Sequence, residues 1–456
     1  TYKKMLLDGE APNQRTFVII LQACVLMVEK EETLLVNGLE AKMVSLYIGQ
    51  AVHMDADRIG FTGDVFVGNS LISMYGKCGS IFEAEMVFNS LSQRDVVSWN
   101  TLIAGYSEYG DHEEALNLFQ MMSVEGFSQD VVTYLCILKA CGKIQRAWEG
   151  LQIHVEIIKK GFEHKHFIGN SLLDMYANCG SIVEAQDIFD DLQVQDFVAW
   201  NSLIAGYVEL GLYEEAMKRF YLMQEEGVFV NSVTFLCIFK ACGLMKQING
   251  GREIHTEAVI RGLDEDIFVG NTLVDMYFKC ESFRDAKGVF NTLRGRDAVS
   301  WNALLTGYAQ LGQSHEVLVL FNLLIAQGMV PNGVTFLIML SACIHGGLVE
   351  EGETCFDWMN NVYDVKPTAE HYTCLVDLFG RVGQLHKAVI FIEKVSHLDR
   401  VSSWVSLLGS CQKWVQMELG QWAFEHLVCL NAKYAGAYVG INNIYATSSM
   451  EEASRG

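Results

Sequence analysis

Three stretches of this chain carry nearly the same text. Residues 65–97 are VFVGNSLISMYGKCGSIFEAEMVFNSLSQRDVV, residues 166–198 are HFIGNSLLDMYANCGSIVEAQDIFDDLQVQDFV, and residues 267–299 are IFVGNTLVDMYFKCESFRDAKGVFNTLRGRDAV. The spacing does not drift: Met74, Met175 and Met276 are 101 residues apart, and so are Trp99, Trp200 and Trp301. Self-similarity at a fixed period marks a solenoid, in which each repeat buries its apolar face against its neighbours because it cannot do so alone. By length, 456 residues would suggest about three globular domains; the period makes them one stacked array instead.

The period divides into repeats of 31, 35 and 35 residues: 65–95, 96–130 and 131–165, then 166–196, 197–231 and 232–266, then 267–297, 298–332 and a longer 333–370. A final short repeat covers 371–400. Each reads as two helices. In 96–130, Trp99, Leu102, Ile103 and Tyr106 fall at i, i+3, i+4 and i+7 on one helical face. Gly110 and Asp111 interrupt, Ala115, Leu118, Phe119 and Met122 form a second face, and Gly126 closes it as a C′ glycine does. Half the residues are apolar and only Pro12, Pro331 and Pro367 could break helices, so the expectation is an all-α superhelix of helix-turn-helix repeats with a concave surface. Residues 1–13 read as the tail of a repeat. Residues 14–64 read as a long repeat with an insertion: Cys24 to His53 is 29 positions, against 13 from Cys141 to His154. The extra residues lie around 29–44, where a bulging loop or an extra turn is expected.

The formal charge is −22, which repels phosphate at long range unless Lys and Arg cluster on one surface. The thirteen cysteines include no CxxC; Cys78, Cys179 and Cys280 recur in register, as do Cys24, Cys141, Cys242 and Cys343. That pattern suits small buried hydrophobes in a reducing compartment. No secretory or transit segment is visible at the start. The longest apolar stretch, 17–28, contains Gln22 and is too short for a membrane span. Two H-x-E tripeptides, His154-Val155-Glu156 and His255-Thr256-Glu257, occupy equivalent places. A zinc deaminase needs a P-C-x-x-C besides, and none is present, so both are read as repeat features. No metal or cofactor is expected.

The phrases SWNTLIAGY (98–106), MYGKCGSI (74–81) and VTFLIMLSAC (334–343) resemble pentatricopeptide repeats, and the alternation of repeat lengths resembles the plant PLS subclass of short, P-type and long motifs. The resemblance covers residues 1–400. Residues 401–436 resemble the family's first E motif, and 437–456 the start of the second, cut short, so the E region is expected to be incomplete. Tetratricopeptide repeats fit less well: they need W-x2-L-G-x2-Y, whereas Trp99 is followed by Asn100 and the tyrosine comes at Tyr106. The resemblance implies a right-handed solenoid that binds single-stranded RNA sequence-specifically, as the site-recognition factor for organellar C-to-U editing or related RNA processing. The deaminase and other editing proteins would be supplied in trans, in a mitochondrion or chloroplast, and the chain itself would not be an enzyme. Two other readings stay open: a helical scaffold for protein partners, which the acidity suits, and a non-functional fragment of such a gene.

The family resemblance also implies site residues. The fifth and last positions of each repeat would read one base: Asn69 with Asp95, Asn100 with Asp130, Asn170 with Asp196, Asn201 with Asn231, Asn271 with Asp297, and Asn302 with Asn332. An amide offers both donor and acceptor to a pyrimidine edge, and one base per repeat is an established mode. The plainer assignment is local: Asn bonding nearby backbone, and Asp or Asn capping the next helix. The second positions, Phe66, Val97, Phe167, Val198, Phe268 and Val299, would wedge between bases; ordinary packing between repeats is the alternative. The thirteenth, Lys77 and Lys279, would face phosphate, although P-type repeats have Glu108, Glu209 and Gln310 there. Val18, Leu135, Leu236 and Leu337 lack a polar edge and are expected to be spacers. By the family's code, Asn with Asp prefers uracil and Asn with Asn prefers cytosine, then uracil. The implied site is the pyrimidine-rich 5′-UUNUYNUYN-3′.

Overall fold

A computed structural model describes residues 5, 11–30, 35–36, 39–394, 400–431 and 434–455, and two compact halves, Thr1–Ile238 and Phe239–Gly456. Helices account for nearly all of it. In the first half they are α1 Gln14–Lys30, α2 Ala41–Ile59, α3 Val65–Lys77, α4 Ile81–Ser90, α5 Val96–Tyr109, α6 His112–Val124, α7 Val131–Lys143, α8 Ala147–Lys159, α9 His166–Asn178, α10 Ile182–Asp191, α11 Phe197–Glu209 and α12 Tyr213–Glu225. Helix α13, Ser232–Met245, runs across the division. The second half continues with α14 Ile248–Ile260, α15 Ile267–Lys279, α16 Phe283–Thr292, α17 Ala298–Gln310, α18 Ser314–Ala326, α19 Gly333–Gly346, α20 Val349–Asn361, α21 Ala369–Arg381, α22 Leu385–Glu393, α23 Val401–Lys413, α24 Met417–Leu430 and α25 Ala435–Arg455. The architecture is an all-α helical-repeat superhelix.

The helices form where the apolar periodicity places them, and glycine ends them. Gly126 sits at φ +83° after α6, the Phe127 N–H bonds Met122 O at 3.0 Å, and the Gly126 N–H bonds Ser123 O at 3.1 Å. This is a Schellman closure, which a Cβ at that φ would strain. The Phe127 ring then turns back against Trp99. Short repeats lose their residues from the second helix: α4, α10 and α16 have 10 residues, whereas α6 and α8 have 13.

Within each half the first helices of successive repeats pack side by side, as α3, α5, α7, α9 and α11 do, while each second helix packs on the first helices of its own and the next repeat. Direct contact between first helices draws that row together, so it forms the inner layer. Each period is pinned by a buried tryptophan against the phenylalanine one helix back. Phe88–Trp99, Phe189–Trp200 and Phe290–Trp301 meet edge-on with centroids 4.8, 4.7 and 4.9 Å apart, a geometry the ring quadrupole favours. Cys24, Cys141, Cys242 and Cys343 are buried free thiols, and burial pushes the last three up to about 12.

Of the two expectations for the insertion, a bulging loop or an extra turn, the described residues show added helix. Helices α1 and α2 run 17 and 19 residues, longer than the 13 of most others, and Leu35–Val36 pairs antiparallel with Leu39–Glu40. The added chain thus extends both helices before it turns. Residues 31–34 and 37–38 of the insertion, and most of 1–13, lie outside the described residues. Among the described residues no helix is long and apolar enough to cross a membrane.

Glycines lie in the contact between successive first helices, and what they face varies. Gly76 meets Gly105 and Ala177 meets Gly206, but in the third period Phe278 lies over Gly307. A Cβ at Gly307 would overlap that ring. Gly307→Ala is expected to cost about 1–3 kcal/mol by overpacking. Adding Phe278→Ala should give a coupling of at least about 0.5 kcal/mol in a double-mutant cycle followed by thermal or urea unfolding.

Candidate nucleic-acid interface

The candidate reading residues lie at the junctions between repeats, and helix capping explains their placement. A helix begins with N–H groups that have no partner in the helix itself. Asp95 supplies the partner for α5, with Oδ1 accepting from the Ser98 N–H at 2.8 Å. Asp130 caps α7 through the Thr133 N–H at 2.9 Å, and Asp297 caps α17 through the Ser300 N–H at 2.8 Å. Asp196 caps α11 through the Val198 and Ala199 N–H groups, both at 3.0 Å. Asn231 and Asn332 do the same through Thr234 at 3.1 Å and Thr335 at 3.0 Å.

The cap oxygen also receives the asparagine of the preceding helix. Asn69 Nδ2 donates to Asp95 Oδ1 at 3.1 Å, Asn100 to Asp130 at 2.9 Å, Asn201 to Asn231 at 3.1 Å and Asn302 to Asn332 at 3.4 Å. Asn170 reaches both oxygens of Asp196, at 3.3 and 3.4 Å. Asn271 makes no hydrogen bond to Asp297 among the described residues. The structure therefore brings five of the six pairs into contact, and the helix cap and the contact within the pair coexist. Burial alone would raise the Asp95 and Asp130 carboxyls. The Ser98 and Thr133 N–H groups, then the asparagine amides and the hydroxyls, outweigh it and hold both below the usual carboxylate range.

The asparagines are deeper than a solvent-facing position suggests. Asn100, Asn170, Asn201 and Asn271 are only 7–8% exposed, because each amide lies against the junction with the next repeat. A further contact separates the repeat types. Thr133 Oγ1 donates to Asn100 Oδ1 at 2.6 Å, Thr234 to Asn201 at 2.6 Å, and Thr335 to Asn302 at 2.8 Å. The amides of repeats 96–130, 197–231 and 298–332 are thus held at both ends. After the short repeats the equivalent positions are Ser98, Ala199 and Ser300, and Oδ1 of Asn69, Asn170 and Asn271 is buried with no hydrogen-bond partner among the described residues. Sequence reasoning missed these threonines; the signal was a threonine at the third position of every long repeat.

The second-position side chains stand out from this layer. Phe66, Phe167 and Phe268 are 68–71% exposed, and Val97, Val198 and Val299 are exposed as well. Val132, Val233 and Val334 hold the same place in the long repeats and are also exposed, a similarity the search for polar readers passed over. Asn69, Ser73, Val97 and Thr101 line a shallow groove of about 410 Å³ with Gln22 and Leu26. Leu135, Leu236 and Leu337 are half-buried at the fifth position.

The lysines are matched by acids. Lys77 Nζ lies 3.0 Å from Glu108, the thirteenth residue of the next repeat, and Lys279 Nζ lies 2.7 Å from Asp275. The H-x-E histidines are links between repeats: His154 Nδ1 is 3.0 Å from the Tyr176 hydroxyl and His255 Nδ1 2.8 Å from that of Tyr277, as His53 is 3.0 Å from that of Tyr75. Burial lowers the three histidines and pushes the three tyrosines up to about 12. Among the described residues no cluster of three or more His, Cys, Asp or Glu could hold a metal ion.

Comparison with known proteins follows the same junctions. A model described as PPR repeat family matches residues 94–143, 195–243 and 296–345, and a second, described as PPR repeat, matches 69–96, 170–197 and 334–359. A pentatricopeptide repeat-containing protein of Arabidopsis thaliana is 36% identical over 416 residues, covering 91% of this chain and 57% of the relative. Another from the same plant, named as mitochondrial, is 31% identical over 453 residues, covering 99% of this chain and 70% of the relative. The chain belongs to the pentatricopeptide repeat family. It spans 57–66% of the length of five of these relatives. Among solved structures, pentatricopeptide repeat protein PPR10 from maize matches all of this chain and 69% of its own with a TM-score of 0.60 at 17% identity. PPR10 in complex with an 18-nt psaJ RNA element matches with 0.65 at 18%, again over all of this chain and 69% of its own. At such identities the likeness concerns the fold.

Two outcomes test the junctions of this pentatricopeptide repeat chain. Thr133→Val leaves the Asn100 carbonyl buried without a donor and should cost about 1–3 kcal/mol in urea unfolding; Thr133→Ser should recover part of it. The depressed Asp95 and Asp130 carboxyls contribute stability that is present above the unfolded value of about 3.9 and lost as pH falls through the folded values. The urea midpoint should therefore drop below about pH 4, and Asp130→Asn should make that drop shallower.

Proposed function

We propose that this chain binds single-stranded RNA in a sequence-specific manner, one nucleotide per repeat, and serves as the recognition factor for organellar C-to-U editing or a related RNA-processing step. The observation that carries the reading is the junction pair: an asparagine amide held against an aspartate or asparagine, flanked by an exposed apolar side chain, and repeated at a constant period. An amide beside a carboxylate presents a donor and an acceptor together, the complement of a uracil edge. Replacing the carboxylate by a second amide turns the preference towards cytosine. Exposed Phe and Val beside each pair supply apolar faces for splayed bases. The leucine-bearing long repeats would hold a nucleotide without reading it. The preferred site is 5′-UUNUYNUYN-3′, bound with the N-terminus towards the 5′ end and the edited cytidine a few nucleotides further 3′.

Catalysis would come from a deaminase acting in trans, with the complex in a mitochondrion or chloroplast; several relatives are named as mitochondrial. The ion-paired lysines and the charge of −22 favour binding through bases over binding through phosphates. A shallow dependence of affinity on salt follows.

Filter binding with synthetic 9-mers tests the reading. Asn100→Ala should weaken binding to the preferred strand by about 1–3 kcal/mol, the range for one specific base contact, while Leu135→Ala leaves base preference unchanged. Asp95→Asn and Asp130→Asn should move preference from U towards C at the first and second nucleotides respectively. Purine-rich strands binding as well as the pyrimidine-rich one would sink the recognition reading and favour a scaffold for protein partners.

A further inference from the structure

The repeats 65–95 and 166–196 carry the same reading pair, Asn with Asp, beside the same second-position phenylalanine, yet their surroundings differ: His166 replaces Val65, Lys165 replaces Asp64 and Ala199 replaces Ser98, and of these His166 alone bonds the carboxylate through its side chain. In the first, Asp95 takes the Asn69 amide, the Ser98 N–H and the Ser98 hydroxyl all on Oδ1. No hydrogen bond from the described residues ends on its Oδ2, which is left for a ligand. In the second, His166 Nε2 lies 2.9 Å from Asp196 Oδ2 and 3.4 Å from Asn170 Nδ2. Both oxygens of Asp196 are therefore engaged. The equivalents of His166 in the short repeats 65–95 and 267–297 are Val65 and Ile267, which have no donor.

The local sequence explains why the imidazole leans this way. Asp64 and Asp266 cap α3 and α15, but Lys165 stands at the same place before α9 and provides no side-chain cap. A histidine in the first turn behind a lysine faces the positive end of the helix dipole. The Asp196 carboxylate is the compensating partner within reach. The imidazole is partly exposed, with the exposed Phe167 ring edge-on at 6.0 Å, so it occupies the surface where the proposed base would sit.

We propose that His166 is a specificity-determining residue that sets the fourth nucleotide apart from the first, although the Asn–Asp pair is common to both. A uracil is recognised by a carboxylate oxygen that accepts its N3–H, and cytosine has no proton there. With Oδ2 already accepting from His166, Asp196 is a weaker acceptor and discriminates U from C less. This inference rests on the recognition reading above and adds to it a residue outside the fifth and last positions.

The test uses the full chain and 9-mers carrying U or C at the first or fourth nucleotide. In the unmodified protein the U-over-C ratio should be lower at the fourth nucleotide than at the first. His166→Val, which copies Val65, should raise the fourth-nucleotide ratio about 3- to 10-fold, as for one hydrogen bond to a base, and leave the first unchanged. His166→Gln keeps a donor towards Asp196 and should stay close to the unmodified ratio, and circular dichroism should show all variants folded. An unchanged fourth-nucleotide ratio in His166→Val, while Asp95→Asn still moves the first from U towards C, would overturn the role of His166 alone. If Asp95→Asn also moves nothing, the recognition reading falls and this inference with it.

Discussion

At five of the six Asn-bearing junctions one oxygen atom carries two duties. The N-cap oxygen must satisfy the first N–H groups of the helix that follows, because a buried helix end without a partner is costly. The same oxygen accepts the amide of the helix before it, as Asp130 Oδ1 does from Thr133 and Asn100. Local folding and the contact between repeats are thus coupled through one side chain. The amide polarity follows: the helix N–H makes the cap oxygen an acceptor, so the asparagine must present its NH2 to it. In repeats 96–130, 197–231 and 298–332 the threonine hydroxyl then closes the other end.

The acidity has a structural counterpart. Lys77, the first lysine that could have met phosphate, instead meets Glu108 of the next repeat, and Arg252 pairs with Asp285 at 2.7 Å and Arg146 with Glu113 at 2.6 Å, again between repeats. These three basic side chains engage neighbouring repeats, and others such as Lys279 pair with an acid on their own helix. These pairs are partly solvent-exposed, where each contributes little to stability. Their larger effect is on the field: an array whose cations are locally neutralised attracts a polyanion weakly at a distance and must rely on short-range contacts.

Much of this was legible in the sequence because the period did the work. Trp99, Trp200 and Trp301 recur with their helix, so fold class and helix pairs followed from spacing, and the junction positions from the family resemblance laid on that spacing. Asn100 and Asp130 lie 30 residues apart, but the repeat makes that separation local in space. What was not legible depends on chemistry at the junction and not on period. The Thr133 hydroxyl had to choose between Asn100 and its own cap, a matter of tenths of an ångström. His166 and Lys165 depart from the pattern, and a reading built on recurrence passes over departures. The longer α1 and α2 escaped because an insertion says how much chain is added, not whether it extends a helix.

The double duty of the cap oxygen limits what this scaffold can vary. A residue at the end of a repeat is chosen first by whether it can begin a helix, and Asp, Asn, Ser and Thr are the side chains that do so well. The six junctions use only Asp and Asn, at Asp95, Asp130, Asp196, Asn231, Asp297 and Asn332. Any vocabulary built on this position is therefore short, and its letters are those of helix initiation. At these six positions a long or basic side chain, whatever it offered a ligand, would give up the cap of the following helix, although Lys165 before α9 shows that a helix can start without one. Diversification on such a framework is steered to positions beside the cap, where a side chain can change without a helix losing its start.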